Sequence, residues 1–403
     1  MNNNKKYYPT ALALYLSYFI HGIGVSILGQ YKQEFASMWN ANLLADGSFD
    51  VSSVLVVSAA LGLGRLISLP FAGPLSDKLG RRLSGLIGIV CYLAFFIGIV
   101  FSPNMYVAYG CALFGGIANS FLDTCVTPSC LEIFPEKGAI ANMFTKFAIS
   151  IGQFVLPFMI GYVATANMSF KTLFFFAAAL LAVIGVLIAI MPFPPSTSTN
   201  TGENNTTKEK IKFTPKAIAV IAIGFTCTAT FQLWLNCNQE LGRLYGVVDP
   251  SKIQSFYSSG TIVAVLVTAV LVNKFIKPIR ILVIYPLISA LMLAAIYFIE
   301  IPEIVLVGGF VLGYTAAGGV LQLAVATANE LYPASKGKIT SIVMIASSLA
   351  NYTILNLAGY ITKTSGISGP KYVLLLNLGI TIIGILLAIY VNIEAKKEES
   401  QIA

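Results

Sequence analysis

Apolar residues run along this chain in blocks separated by short polar breaks, and most blocks are 20 residues long or more. A helix rising about 1.5 Å per residue needs about 20 such positions to cross a bilayer's hydrocarbon. Twelve blocks stand out, at 8–31, 51–74, 83–102, 105–132, 139–163, 170–192, 215–239, 254–273, 279–299, 303–330, 338–362 and 371–393. Each is predicted to be helical, because lipid offers backbone groups no partners and the blocks are too long for barrel strands. Between the sixth and seventh lies a polar stretch rich in Pro, Ser and Thr. The pattern predicts an all-α membrane protein. It has an amino-terminal six-helix bundle at 1–193, a linker at 194–213, a carboxy-terminal six-helix bundle at 214–394 and a tail at 395–403.

Charge fixes the expected orientation. Of the 25 Lys and Arg, seventeen fall at the termini, the linker and the loops on their side. Six fall on the opposite loops, and two, Arg65 and Lys146, lie inside spans. Basic residues collect on the cytoplasmic side, so both termini and the linker are expected there. The first block has no small-residue cleavage site after it and reads as a retained span. With 57% hydrophobic and 10% charged residues the chain is no soluble domain, since those carry about 25% charge. The net charge of +8 sits at helix ends, which excludes a nucleic-acid partner. The six cysteines lie in or beside apolar spans without metal-ligand spacing and read as packing residues. The chain has no phosphate-binding loop, no H-E-x-x-H and no catalytic triad pattern, so no enzyme activity, cofactor or metal is expected.

The informative residues are the ionisable groups in mid-span. Counted from Pro135, Asp123 lies twelve residues back and Lys146 eleven forward. In an antiparallel hairpin both are then about 17 Å deep, near the bilayer midplane. Arg65, twelve residues before Asp77, and His21, about halfway along the first span, reach the same depth. Charges there cost roughly 3 kcal/mol each on insertion scales, so the expected reading is a functional site with a nearby partner. All four belong to the first half, whereas the second offers neutral polar groups. The expected cavity has a charged wall of Arg65, Lys146, Asn119, Asn142 and Gln153. Facing it is a hydrogen-bonding wall of Gln232, Trp234, Asn236, Gln322 and Asn351. If Asp123 pairs with Lys146 or Arg65, one cation is left for an anionic substrate. Asp123 and His21 are the candidates for carrying a proton.

The halves repeat at an offset near 200 residues. Leu75-Ser76-Asp77-Lys78-Leu79-Gly80-Arg81 matches Leu271-Val272-Asn273-Lys274-Phe275-Ile276-Lys277, and Glu132-Ile133-Phe134-Pro135 matches Glu330-Leu331-Tyr332-Pro333. This is a parallel repeat about the membrane normal. Gly73-Pro74-Leu75-Ser76-Asp77-Lys78-Leu79-Gly80-Arg81-Arg82 is similar to the loop signature G-x-L-x-D-x-x-G-R-R of the major facilitator superfamily. Within that family the chain resembles the YdiN/YdiM-type inner-membrane transport proteins at residues 18–23, 62–68, 119–124 and 316–323.

That resemblance implies a secondary transporter of the bacterial plasma membrane. It works by alternating access as a monomer and uses no cofactor. Its partners are the lipid bilayer, protons and a small carboxylated, shikimate- or quinate-like metabolite. It also implies a gate in which Gly73 allows close helix approach. Asp77, Arg81 and Arg82 hold the cytoplasmic side shut in that gate, and Glu132 and Glu330 sit at equivalent ends of spans four and ten. Residues 152–161 depart from the glycine-rich motif of drug–proton antiporters at Leu156 and Ile160, which favours uptake over efflux. Drug or metabolite efflux, and a transporter-like receptor without turnover, are the alternatives.

Overall fold

The computed structural model describes residues 3–194, 213–333 and 336–402. Their regular elements are helices. In chain order these are α1 (Tyr8–Gln30), α2 (Lys32–Met38), α3 (Ser52–Leu79), α4 (Arg81–Val100), α5 (Met105–Ile133), α6 (Gly138–Thr165) and α7 (Lys171–Ile190). After the linker come α8 (Pro215–Leu244), α9 (Lys252–Lys274), α10 (Pro278–Ile299), α11 (Pro302–Leu312), α12 (Val320–Leu331), α13 (Lys336–Ser365) and α14 (Gly369–Ile402). Among the described residues eleven helical stretches are long and apolar enough to cross a membrane. The last, 338–398, holds both α13 and α14, so the passes number twelve.

The starts are set by local chemistry. Asn104 caps α5 by accepting from the amides of Tyr106 and Val107. Thr214 caps α8, whose first residue is Pro215 and therefore lacks an amide that would go unpaired. Gly80, at a φ of +93°, makes the one-residue corner between α3 and α4. The apolar blocks coincide with the passes to within a few residues, with three differences. Helix α3 runs through Pro70 and Pro74 to Leu79, so most of the 73–82 signature is helix and only Gly80 turns. Helix α14 continues to Ile402 and is tied back by an ion pair from Lys216 to Glu398 at 2.6 Å. The short α2 fills part of what reads as a loop. Residues 195–212 of the expected linker lie outside the described residues.

Asn4 bonds to the Ile133 carbonyl, Thr10 to the Pro192 carbonyl and Lys216 to Glu398, so both chain ends share one face of the molecule, here the terminal end. One core cluster gathers residues of α1 through α7, and two others lie wholly in the second half. A fourth joins the halves: Leu55 of α3 packs among Ala229, Leu233, Ala350, Ile354 and Val373. Leu55 lies near the start of α3, so this joint sits at the far end, opposite the chain termini.

Candidate functional site

Small residues let the helices carrying the mid-span charges approach closely. A Cβ on Gly64 would strike the Leu113 carbonyl, and one on Gly116 would strike the Leu61 carbonyl, so α3 and α5 touch backbone to backbone. Helices α1 and α6 meet the same way, through Gly22 against the Ile149 carbonyl and Gly152 against that of Phe19. The first contact brings Arg65 to Asp123, and the second sets His21 and Lys146 on neighbouring helices.

Between the halves lies a cavity of about 480 Å³. On its charged wall Arg65 donates to Asp123 at 2.8 Å, and Tyr18 donates to the other carboxylate oxygen at 2.6 Å. His21 is hydrogen-bonded through Nδ1 to the Tyr92 hydroxyl, with its ring edge-on to both Tyr18 and Tyr92. Ser68 and Ser120 bridge α3 and α5 at 2.8 Å, and Ser120 also donates to the Arg65 carbonyl, which steadies the arginine's backbone. Lys146 lines the cavity and makes no hydrogen bond or ion pair with a described residue. Asn119 and Gln153 line it too, the latter donating to Ser26 at 3.1 Å. Asp123 stands just off the lining, reached through Arg65. The Asn142 side chain lies outside what the structure describes.

The opposite wall follows helical periodicity. Thr228, Phe231, Gln232, Leu235 and Asn236 of α8 recur at steps of three and four and face the cavity, as do Ser347, Ser348, Asn351 and Leu355 of α13. Trp234 falls off that stripe. It is buried with Leu235, Leu241 and Tyr245 in a core of the second half, so the structure does not bring this expected contact to the cavity. Gln322 reaches it from the first turn of α12, just after an irregular segment: α11 ends at Leu312, a π turn covers Gly313–Ala317, and Gly318 and Gly319 precede α12. Gly319 has a φ of +121°, open to glycine and strained for other residues. Ala316 through Gly319 line the cavity, the kind of interrupted helix tolerated in a membrane where it borders a polar space.

At the terminal end the gate residues contact their own half. Arg81 binds Asp77 at 2.6 Å and approaches Glu132 at 3.8 Å, while Arg82 donates to the Met191 carbonyl. Asp77 is largely exposed and Glu330 is exposed. A Cβ on Gly73 would meet nothing within 4 Å, so the close approach expected there is absent from this conformation. The far end is the reverse. Lys32, only 1% exposed, forms an ion pair with Glu240 at 2.7 Å and donates to the Asn236 carbonyl, and Gln239 donates to Gln30 at 2.8 Å. Just outside the spans, burial pushes the Glu34 carboxyl up from its usual range, opposed by the Arg243 charge. The cavity is therefore sealed at the far end and parted at the terminal end. Tyr18, Tyr92, Lys32 and Glu240 were missed in the sequence. The first two look like ordinary span aromatics, and the charged pair looks like two boundary residues.

The model of the Major Facilitator Superfamily matches residues 11–243 and 238–403. The chain belongs to that superfamily. It is 31% identical over 398 residues to the inner membrane transport protein YdiM of Escherichia coli K12, covering 97% of this chain and 96% of that one. To YdiN of the same organism it is 32% identical over 387 residues, covering 95% and 89%. Among solved structures the D-xylose–proton symporter superposes with a TM-score of 0.73 at 16% identity, covering 95% of this chain and 97% of that one, a likeness of fold. As a superfamily member the protein is a small-molecule transporter of the bacterial inner membrane with twelve passes in two pseudo-symmetric six-helix bundles, and it is not an enzyme.

Proposed function

We propose that this transporter takes up a small, hydroxylated organic anion together with protons, by alternating access and as a monomer. One observation carries the reading: Arg65 is neutralised by Asp123 in an ion pair at 2.8 Å, while Lys146 faces the same cavity with no ion-pair partner among the described residues. The charged wall thus presents one net positive group, the complement of a single carboxylate. Gln232, Asn236, Gln322 and Asn351 opposite supply donors and acceptors suited to hydroxyls. Asp123 is the proton carrier in this scheme. Its two bonds, to Arg65 and Tyr18, are positioned to change as the cavity turns from one face of the membrane to the other. His21, held by Tyr92, is the second titratable group in reach.

The charge bias of the loops supports placing the termini and linker in the cytoplasm, so the conformation described is open inward. Bundles at 1–193 and 214–394 with the linker between them agree with core clusters confined to either side. A shikimate- or quinate-like acid, with one carboxylate and several hydroxyls, matches the two walls and is the first cargo to try. The test is thermal stabilisation of the purified protein by carboxylic acids and by their uncharged amides, followed by counterflow of any hit in proteoliposomes. Stabilisation by the acid and not its amide is expected, because ligand that binds only the folded state raises its melting point. Equal stabilisation by the amide overturns the anion assignment.

A further inference from the structure

The seam that seals the far end carries a buried polar strip beside the apolar packing around Leu55. Lys32 at the start of α2 is buried against α8 of the other half, paired with Glu240 and bonded to the Asn236 carbonyl. Its neighbour Gln30 accepts from Gln239. These bonds join the two halves directly, whereas the charged groups of the terminal end bind within their own half. The seam also leaves buried polar atoms without partners: the Gln30 amide nitrogen, the Gln239 amide oxygen and both side-chain polar atoms of Asn238. A desolvated polar atom with no bond costs free energy that hydration would return. Beyond that apolar packing, the polar strip is held by one charged pair set among groups that favour opening. That balance suits a joint that must part once per cycle, since an apolar seam of the same area would stay shut.

We propose that Lys32–Glu240 is the latch of the outer gate and that it is tied to the cavity through Asn236. The Asn236 carbonyl accepts from Lys32, while its side-chain amide, on the cavity wall, donates to the side-chain and backbone oxygens of Gln232. A cargo that takes over the Asn236 or Gln232 amide shifts this turn of α8 and with it the carbonyl that Lys32 holds. Opening the seam frees Lys32 and Glu240 to water, where each is solvated alone. The inference rests on the alternating-access reading but on no particular cargo.

The test needs no substrate. A Val25→Cys reporter at the cavity lining, in a chain whose native cysteines are replaced, is labelled with a membrane-impermeant maleimide from each face of oriented vesicles. With the latch intact, labelling from the far face is slow. In Lys32→Ala and in Glu240→Gln it is expected to rise at least about tenfold, a shift of about 1.4 kcal/mol in the closed–open balance. The exchange Lys32→Glu with Glu240→Lys is expected to restore slow labelling. Unchanged far-face labelling in both single variants, with normal labelling from the terminal face, overturns the latch while leaving alternating access intact. No labelling from the far face in any variant, including the Gln30→Ala/Gln239→Ala pair, overturns alternating access itself. If the single variants do not fold, a disulfide between Gln30→Cys and Gln239→Cys decides the matter. It is expected to abolish residual far-face labelling until reduced, and persistence of that labelling counts against the latch.

Discussion

Removing Arg65 isolates the one intramembrane ion pair of the charged wall. In Arg65→Ala the Asp123 carboxylate keeps Tyr18 at 2.6 Å and loses its counter-charge at 2.8 Å. Stripping one partner from a fully buried pair costs about 3–5 kcal/mol, because the other charge is left desolvated. Here the side chains are 17% and 31% exposed to the cavity, and water reaching the carboxylate lowers the expected loss to about 2–3 kcal/mol. At roughly 2 °C per kcal/mol for a large chain, the apparent melting point in detergent falls by about 5 °C. Adding Asp123→Asn removes the stranded charge and keeps the shape that Tyr18 packs against. The double variant is therefore expected to recover at least half of the loss, a coupling of about 1–2 kcal/mol. The assay is thermal unfolding of the wild type, both single variants and the double variant in one buffer. Strictly additive losses, or a double variant less stable than Arg65→Ala, would refute the view that the two side chains form one compensated unit.

Four further outcomes follow from the same geometry. Lys146→Gln removes the cavity-facing cation, and stabilisation by carboxylates is expected to fall at least about tenfold in apparent affinity while the fold's melting point stays within about 2 °C, read by ligand titration. Asp123→Asn is expected to abolish uphill accumulation yet allow exchange of labelled for unlabelled cargo; accumulation at the wild-type level removes Asp123 from proton coupling. Gly62→Val sets a Cβ 2.7 Å from the Tyr352 amide nitrogen, so the far end cannot close and transport is expected to fall at least tenfold, with faster far-face labelling. Trp234→Phe, off the cavity stripe, is expected to leave transport affinity unchanged within about twofold, measured by counterflow.

Much of the architecture could be read from local pattern alone, because a helix in lipid must be long, apolar and self-satisfied in its hydrogen bonds. The shared depth of Asp123, Lys146 and Arg65 came from counting residues to a turn, and no tertiary knowledge was needed. Which of the two cations the acid chooses was not legible. That choice depends on Gly64 and Gly116 drawing α3 against α5, a contact between segments about fifty residues apart. Lys32 was misleading for a related reason. A lysine at the end of an apolar block signals topology in most chains, and its true partner, Glu240, belongs to the other half. Trp234 illustrates a rule applied too loosely, since the residues spaced by three and four around it already define a face that leaves it out.

The interruption between α11 and α12 makes the two halves unequal. Its counterpart in the first half, α5, is one helix from Met105 to Ile133, with Pro128 inside it near the terminal end. The second half has a π turn and two glycines at the same level, packed against Tyr257 and Ala264, and its twelve-residue α12 starts anew beside the cavity. Gln322, in the first turn of α12, meets a solute from a helix start, whereas Arg65 meets it from the middle of α3. One bundle thus presents a solute with continuous helices, and the other with the beginning of a broken one.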